Sequence, residues 1–307
     1  MNAAPAISEA VPEPLRERLF DCGRLQLNAA VGPRNGPPLV LLHGVTRCWQ
    51  DWQPVLPELM TRWEVFALDH RGHGGSGRAP GAYRVADFAG DALAFVQAYV
   101  GERAVLWGHS LGAMTAAVVA AQAPERFEAL VLEDPPGSLL AGGFGQSRYR
   151  LQFTGIRRLL DEHLDAPALT ERLAALPVQH PLDGRTVEFR EIRDAAALRF
   201  SAECLVKMDP AVLAPLITGR WLDGLDWFGG LARIVCPTLL LRADPDCGGM
   251  LSMAEAARIA ELIPRRRRLE RPGLGHNLHA TDPRATLALV SDFLASASLP
   301  PIPASQP

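Results

Sequence analysis

An α/β fold, built on a mostly parallel sheet with helices on both faces, is predicted by three features of this sequence. Short apolar runs alternate with helical patterns over most of the chain. Each run is too short for a helix and is bounded by Gly, Pro or Asp, which suits strands buried on both faces. A long helical stretch then separates two of these runs, as an insertion into a sheet protein does.

The strand candidates, in order, are Leu39–Leu42, Val65–Leu68, Ala104–Trp107, Leu130–Leu132 and Thr238–Leu241. Between them, Asp91–Val100 carries Leu93, Phe95, Val96 and Val100 near helical spacing. Ser110–Gln122 is a run of Ala, Val and Met, small enough to pack closely on a sheet. Ala254–Leu262 and Ala285–Phe293 supply two more helices. From Pro136 to Cys236 no convincing strand is visible. There Ile156, Leu159, Leu160 and Leu164 share a helical face, and Asp209-Pro210 starts a helix that Gly219 stops. Such an insertion would form a lid over the C-terminal ends of the strands, the edge where open α/β sheets bind ligands.

Composition narrows the function classes. With 307 residues, 48% hydrophobic and 21% charged, the chain can fill its own core without a disulfide or metal staple. A net charge of −3 gives no electrostatic case for a nucleic-acid or acidic-membrane partner. The five cysteines are scattered and lack a CxxC pair, which argues against a disulfide framework or zinc knuckle and for reduced thiols in a cytoplasm. No signal peptide is read at the N-terminus, and no apolar run reaches the ~20 residues that span a bilayer. A cytoplasmic protein is expected. The Pro- and Ala-rich ends, 1–13 and 298–307, read as flexible tails.

Three motifs carry chemistry. Gly108-His109-Ser110-Leu111-Gly112 lies between a strand and a helix, the setting in which a G-x-S-x-G turn exposes a serine hydroxyl on a strained bend. The helix that follows adds its N-terminal dipole and free N–H groups. His43-Gly44-Val45-Thr46 ends an earlier strand. A carbonyl attacked by serine becomes an oxyanion, for which Leu111 and Val45 backbone N–H groups are the candidate donors. Gly273-Leu274-Gly275-His276-Asn277 follows the last strand pattern, and His276 there can take the serine proton. His279 is its rival, more simply read as a surface or hydrogen-bonding residue. His43, His70, His73 and His109 sit in turns, and no histidine pair has HExxH-type metal spacing.

With these motifs the chain resembles the α/β-hydrolase superfamily over nearly its whole length. Asp69-His70-Arg71-Gly72-His73-Gly74-Gly75-Ser76-Gly77 is similar to that family's tight turn after the fourth strand, and Pro124-Glu125-Arg126 to the usual end of the helix behind the serine. The resemblance implies an eight-stranded, mostly parallel sheet with a helical cap, and hydrolysis through an acyl-enzyme without a cofactor. It divides the chain into core segments 14–135 and 231–297 around a cap at 136–230. Family members place the triad acid in one of two positions. One follows the seventh strand and corresponds to Asp246, although the glycine-containing loop here is longer than usual. The other ends the sixth strand and corresponds to Asp134, which is preferred because Pro135 and Pro136 stiffen the backbone behind it. Either carboxylate can hold the imidazole tautomer.

The expected function is therefore hydrolysis of a small or medium carboxylic ester or lactone, with no metal and no cofactor. Amide or carbon–carbon bond hydrolysis on the same residues is the alternative, as is a ligand-binding receptor on a hydrolase scaffold. Serine at position 110 weighs against relatives that use a carboxylate nucleophile, and Asn277 after His276 departs from the tryptophan usual in carbon–carbon hydrolases. Within the insertion, Phe144 and Trp221 are candidates to line the substrate pocket, together with Met250 beyond it. The remaining aromatic residues there, and Trp49 and Trp52, read as core. The run Arg265–Arg268 reads as a solvated strand edge.

Overall fold

The computed structural model describes residues 15–140 and 143–299. Segment 1–13 and residues 300–307, both expected as tails, lie outside the described residues. Ser298 and Leu299 are described, and their N–H groups bond back to Ala295 and Leu294 at the end of the last helix.

Ten strands are present among the described residues: β1 Arg16–Asp21, β2 Gln26–Val31, β3 Pro38–Leu42, β4 Glu64–Leu68, β5 Ala104–His109, β6 Phe127–Glu133, β7 Pro177–Gln179, β8 Thr186–Glu188, β9 Thr238–Ala243 and β10 Arg266–Arg271. Eight form one sheet in the order β1-β2-β4-β3-β5-β6-β9-β10. β2 is antiparallel to β1 and β4, and the other pairs are parallel. The five runs read from sequence are β3, β4, β5, β6 and β9. Being interior strands covered on both faces, they are continuously apolar. β1 and β10 escape that pattern because they are exposed edges, with sequences RERLFD and RRRLER. Charged edges of this kind discourage pairing with another chain.

Apolar side chains fill both sides of the sheet. One layer holds the helices Val85–Tyr99 and Leu111–Gln122 and continues into the insertion. The other holds Trp49, Trp52 and the helix Pro283–Ser296. Leu111–Gln122 is buried at nearly every position, which explains why its residues are so small. The helix expected at Asp91 begins earlier, at Val85, where the Asp87 carboxylate accepts from the Arg84 N–H and caps the first turn.

Among the described residues the insertion carries five α-helices, Tyr149–Leu160, Ala166–Ala174, Ala195–Leu205, Leu213–Ile217 and Trp227–Leu231. It is not wholly helical as expected, because β7 and β8 form a hairpin within it. Three residues per strand, with only the central Val178 and Val187 buried, leave too short an alternation to detect. The insertion is tied down over the core. Arg47 donates to Ser201 at 2.8 Å, and the Cys48 and Cys204 sulfurs lie 3.1 Å apart. Tyr83 donates to Asp209 at 2.6 Å, and the Trp221 indole donates to the Tyr83 carbonyl. No helix among the described residues is long and apolar enough to cross a membrane.

Candidate active site

The parallel strands β3, β5, β6 and β10 deliver one candidate residue each to the same edge of the sheet. After β5 the chain turns sharply at Ser110, whose φ of 55° is unusual for a residue with a side chain. The turn survives because its two glycines leave room: a Cβ on Gly108 would lie 2.2 Å from the Gly112 carbonyl oxygen, and one on Gly112 would lie 1.9 Å from the Leu42 carbonyl oxygen. The strain of such a bend, about 1–3 kcal/mol, is held by the flanking strand and helix. Ser110 N–H bonds to Glu133 on the neighbouring strand, and Met114 N–H closes the first helical turn on Ser110.

Beside it, Val45 leaves β3 into a loop where Thr46 also has positive φ, at 67°. Among the described residues the Val45 and Leu111 N–H groups make no hydrogen bond within the chain, which leaves both free to donate. That is the arrangement an incipient oxyanion needs.

Asp134 follows β6 with φ 43° and is completely buried. Its carboxylate accepts from the N–H groups of Ala243 (3.1 Å), Met250 (2.8 Å) and Leu251 (3.3 Å). It also accepts from His276 Nδ1 at 2.6 Å. A carboxylate only accepts, so the proton sits on Nδ1 and Nε2 is the free base. His276 reaches Asp134 across the end of β9, on a loop held by Asp244. Asp244 accepts from Gly273 N–H, and its own N–H donates to the Leu274 carbonyl. The N–H groups of Gly273 and Asp246, both donating to it, hold the Asp244 carboxyl below its ordinary range.

Of the two carboxylates left open by the sequence, the structure pairs Asp134 with the imidazole. Asp246 is corrected: it lies in the turn Pro245–Cys247, exposed, with its N–H bonded to Asp244. Phe144 is corrected as well. It is fully buried against Phe153 in the apolar layer and does not border the cleft. Trp221 and Met250 do border it, with Ser110, His276 and Val45. The cleft encloses about 600 Å³ between atoms, its open mouth included. Ser110 Oγ makes no hydrogen bond to His276 among the described residues.

Behind the cleft lies a second polar cluster that the sequence reading passed over. His109 Nε2 bonds to the His276 carbonyl at 3.1 Å, bracing the loop that carries the candidate base. His279 is buried rather than at the surface. It bonds to Glu133 at 2.8 Å, lies 3.4 Å from Asp51 and stacks on Trp52. Burial opposes its charge, but Glu133 and Asp51 overcome that and push it up to about 10. For His109 burial, aided by the neighbouring His276 and His279, outweighs the attraction of Glu133 and Asp51 and takes it down to about 3. The nearby turn behaves likewise: burial lowers His43 to about 4 and His73 to about 3, and holds His70 well below its usual value.

A pH dependence of stability follows. His43, His70, His73 and His109 have folded values below the ordinary 6.5. Between pH 6.5 and about 4 the unfolded chain therefore binds more protons, and stability falls as pH falls. His279 has the opposite sign. Its contribution is complete below 6.5 and fades only as pH rises toward about 10, so it does not offset the acid loss. Each proton bound only by the unfolded chain contributes about 1.4 kcal/mol per pH unit. The urea midpoint should drop clearly from pH 7.5 to pH 5, and an equal or higher midpoint at pH 5 would show that these imidazoles are not buried neutral.

Comparison with known proteins adds the wider relationship. The family described as alpha/beta hydrolase fold matches residues 37–283. The 2-(acetamidomethylene)succinate hydrolase of Mesorhizobium japonicum is 24% identical over 286 residues, covering 90% of this chain and 94% of its own. Among solved structures, an N-formylmaleamic acid deformylase from Pseudomonas putida S16 superposes with a TM-score of 0.71 at 20% identity, covering 90% of this chain and 100% of its own. The enol-lactonase from Burkholderia xenovorans LB400 gives 0.69 at 21%, covering 91% and 100%. At such identities the superpositions speak for the fold.

Proposed function

This chain belongs to the alpha/beta hydrolase fold family, enzymes acting on small organic substrates, and from that membership we propose that it is a serine hydrolase of small acyl compounds working through a covalent acyl-enzyme. One observation carries the reading: a bend exposes Ser110 into the cleft that His276 borders, and His276 Nδ1 is held 2.6 Å from the buried Asp134. His276 Nε2 takes the Ser110 proton as Oγ attacks the carbonyl carbon. Val45 and Leu111 N–H groups receive the oxyanion, and Asp134 stabilises the imidazolium. His276 then protonates the leaving atom, and water repeats the sequence to free Ser110.

The leaving atom distinguishes two readings. Esters and lactones need the smaller push, since oxygen leaves more readily than nitrogen. The amide reading draws on the relatives themselves, one named for an acetamido compound and another for removing a formyl group from an amide. The geometry serves both, because His276 can protonate either oxygen or nitrogen.

A panel of p-nitrophenyl acetate, a lactone, an N-acetyl enamide and a vinylogous diketone tests the proposal. Quenched digests should carry the acyl mass on the Ser110 peptide, with turnover of at least one ester, lactone or amide. A persistent adduct without turnover would favour a ligand receptor. Cleavage of the diketone alone would favour carbon–carbon hydrolysis.

A further inference from the structure

Two arginines border the candidate cleft, and no Asp or Glu does among the described residues. Arg47 comes from the core loop after Thr46, and Arg193 from the insertion just before the helix Ala195–Leu205. Arg47 is partly engaged, donating to Ser201 and lying 3.7 Å from Asp51. Arg193 makes no hydrogen bond or ion pair to any described residue. It is also largely enclosed, and that burial, reinforced by the neighbouring Arg47 charge, lowers its pKa.

An arginine serving only to brace the insertion spends its donors on backbone carbonyls. Arg148, immediately before the cleft-lining Tyr149, does this: it donates to the carbonyls of Pro181 and Pro245. Arg190 donates to the Ala174 carbonyl and pairs with Glu188 at 2.8 Å. Arg193 breaks that pattern. Enclosing an unpaired guanidinium beside a second one is unfavourable unless an anion completes the site. The planar fork of guanidinium donors fits a carboxylate with two parallel hydrogen bonds.

We propose that the acyl substrate carries a carboxylate, which Arg193 and Arg47 hold while its scissile carbonyl sits at Ser110. The inference rests on the acyl-transfer reading above and adds the substrate class. The core supplies Arg47 and the insertion Arg193, so a carboxylate held by both also ties the insertion to the core around the substrate.

The full chain is tested with p-nitrophenyl hexanoate and mono-p-nitrophenyl adipate, which differ in a terminal methyl against a carboxylate. A second readout is the rate at which a fluorophosphonate labels Ser110, with and without disodium glutarate. The wild type should prefer the adipate ester in kcat/KM, and Arg193→Gln should reduce that preference about 100-fold, chiefly through KM. Arg193→Lys should recover part of it. Glutarate should slow labelling of the wild type and slow the Gln variant much less. Labelling at Ser110 reports that each variant is folded. A wild type without the preference, a preference unchanged in Arg193→Gln, or labelling indifferent to glutarate would overturn the carboxylate site and leave acyl transfer standing. Failure of Ser110 to label, with neither ester turned over, would remove both.

Discussion

Ser110→Ala should lower kcat for every ester, lactone or amide substrate by about 10⁶-fold, the loss seen when the nucleophile of a triad is removed. The fold should be indifferent to the change. Ser110 Oγ makes no hydrogen bond among the described residues, so alanine strands no partner. Serine and alanine carry the same Cβ and experience the same strain at φ 55°. The bend is imposed by the close approach of Gly108 and Gly112 to their neighbours, which the substitution leaves alone. The thermal midpoint should therefore move by no more than about 1 °C, under about 1 kcal/mol of stability. Retained turnover in a preparation free of wild-type enzyme would remove Ser110 from the chemistry. Lost turnover with a collapsed midpoint would mean the serine matters to the structure instead.

Asp134→Asn should reduce kcat by about 10⁴-fold, because an amide can donate to Nδ1 and so present the wrong imidazole tautomer to the serine. This variant should also lose stability. One Asp134 oxygen faces the Ala243 and Leu251 N–H groups, and the other faces Met250 N–H and His276. Whichever way the amide turns, its NH₂ meets donors, at a cost of about 1–3 kcal/mol for buried unsatisfied groups. Asp246→Asn provides the contrast. Its side chain is exposed and has no role in orienting His276, so both turnover and midpoint should stay near wild type. Comparing the two at equal folded fraction separates the catalytic effect from the structural one. Equal and mild losses in both would take Asp134 out of the proposed triad.

These two carboxylates also mark how far the chain could be read before folding. The serine bend was legible because everything that makes it lies within five residues: a strand to anchor it, glycines two positions to either side and a helix to receive it. The buried strands were legible for a similar reason, since burial on both faces writes an unbroken apolar run into consecutive residues. β1, β10 and the hairpin of β7 and β8 were harder, because solvent on one or both faces removes that constraint.

Contacts between distant parts of the chain leave no such trace. His276 and Asp134 are 142 residues apart, and their pairing depends on how β10 lies beside β9 and how far the loop crosses it. Asp244 belongs to no motif in the sequence, yet it ties down the loop bearing His276. Phe144 had the composition of a pocket residue and was drawn instead into the apolar layer. Arg193 gave no signal at all, since a single arginine ahead of a helix is ordinary until the fold leaves it without an acceptor among the described residues. Local chain geometry and apolar periodicity thus set the sheet, the bend and the chemistry of the serine. Acid choice, cleft lining and cleft charge depend on which side chains meet across the sheet edge and the insertion, because pairing energies there are decided by distance and burial rather than by position in the chain.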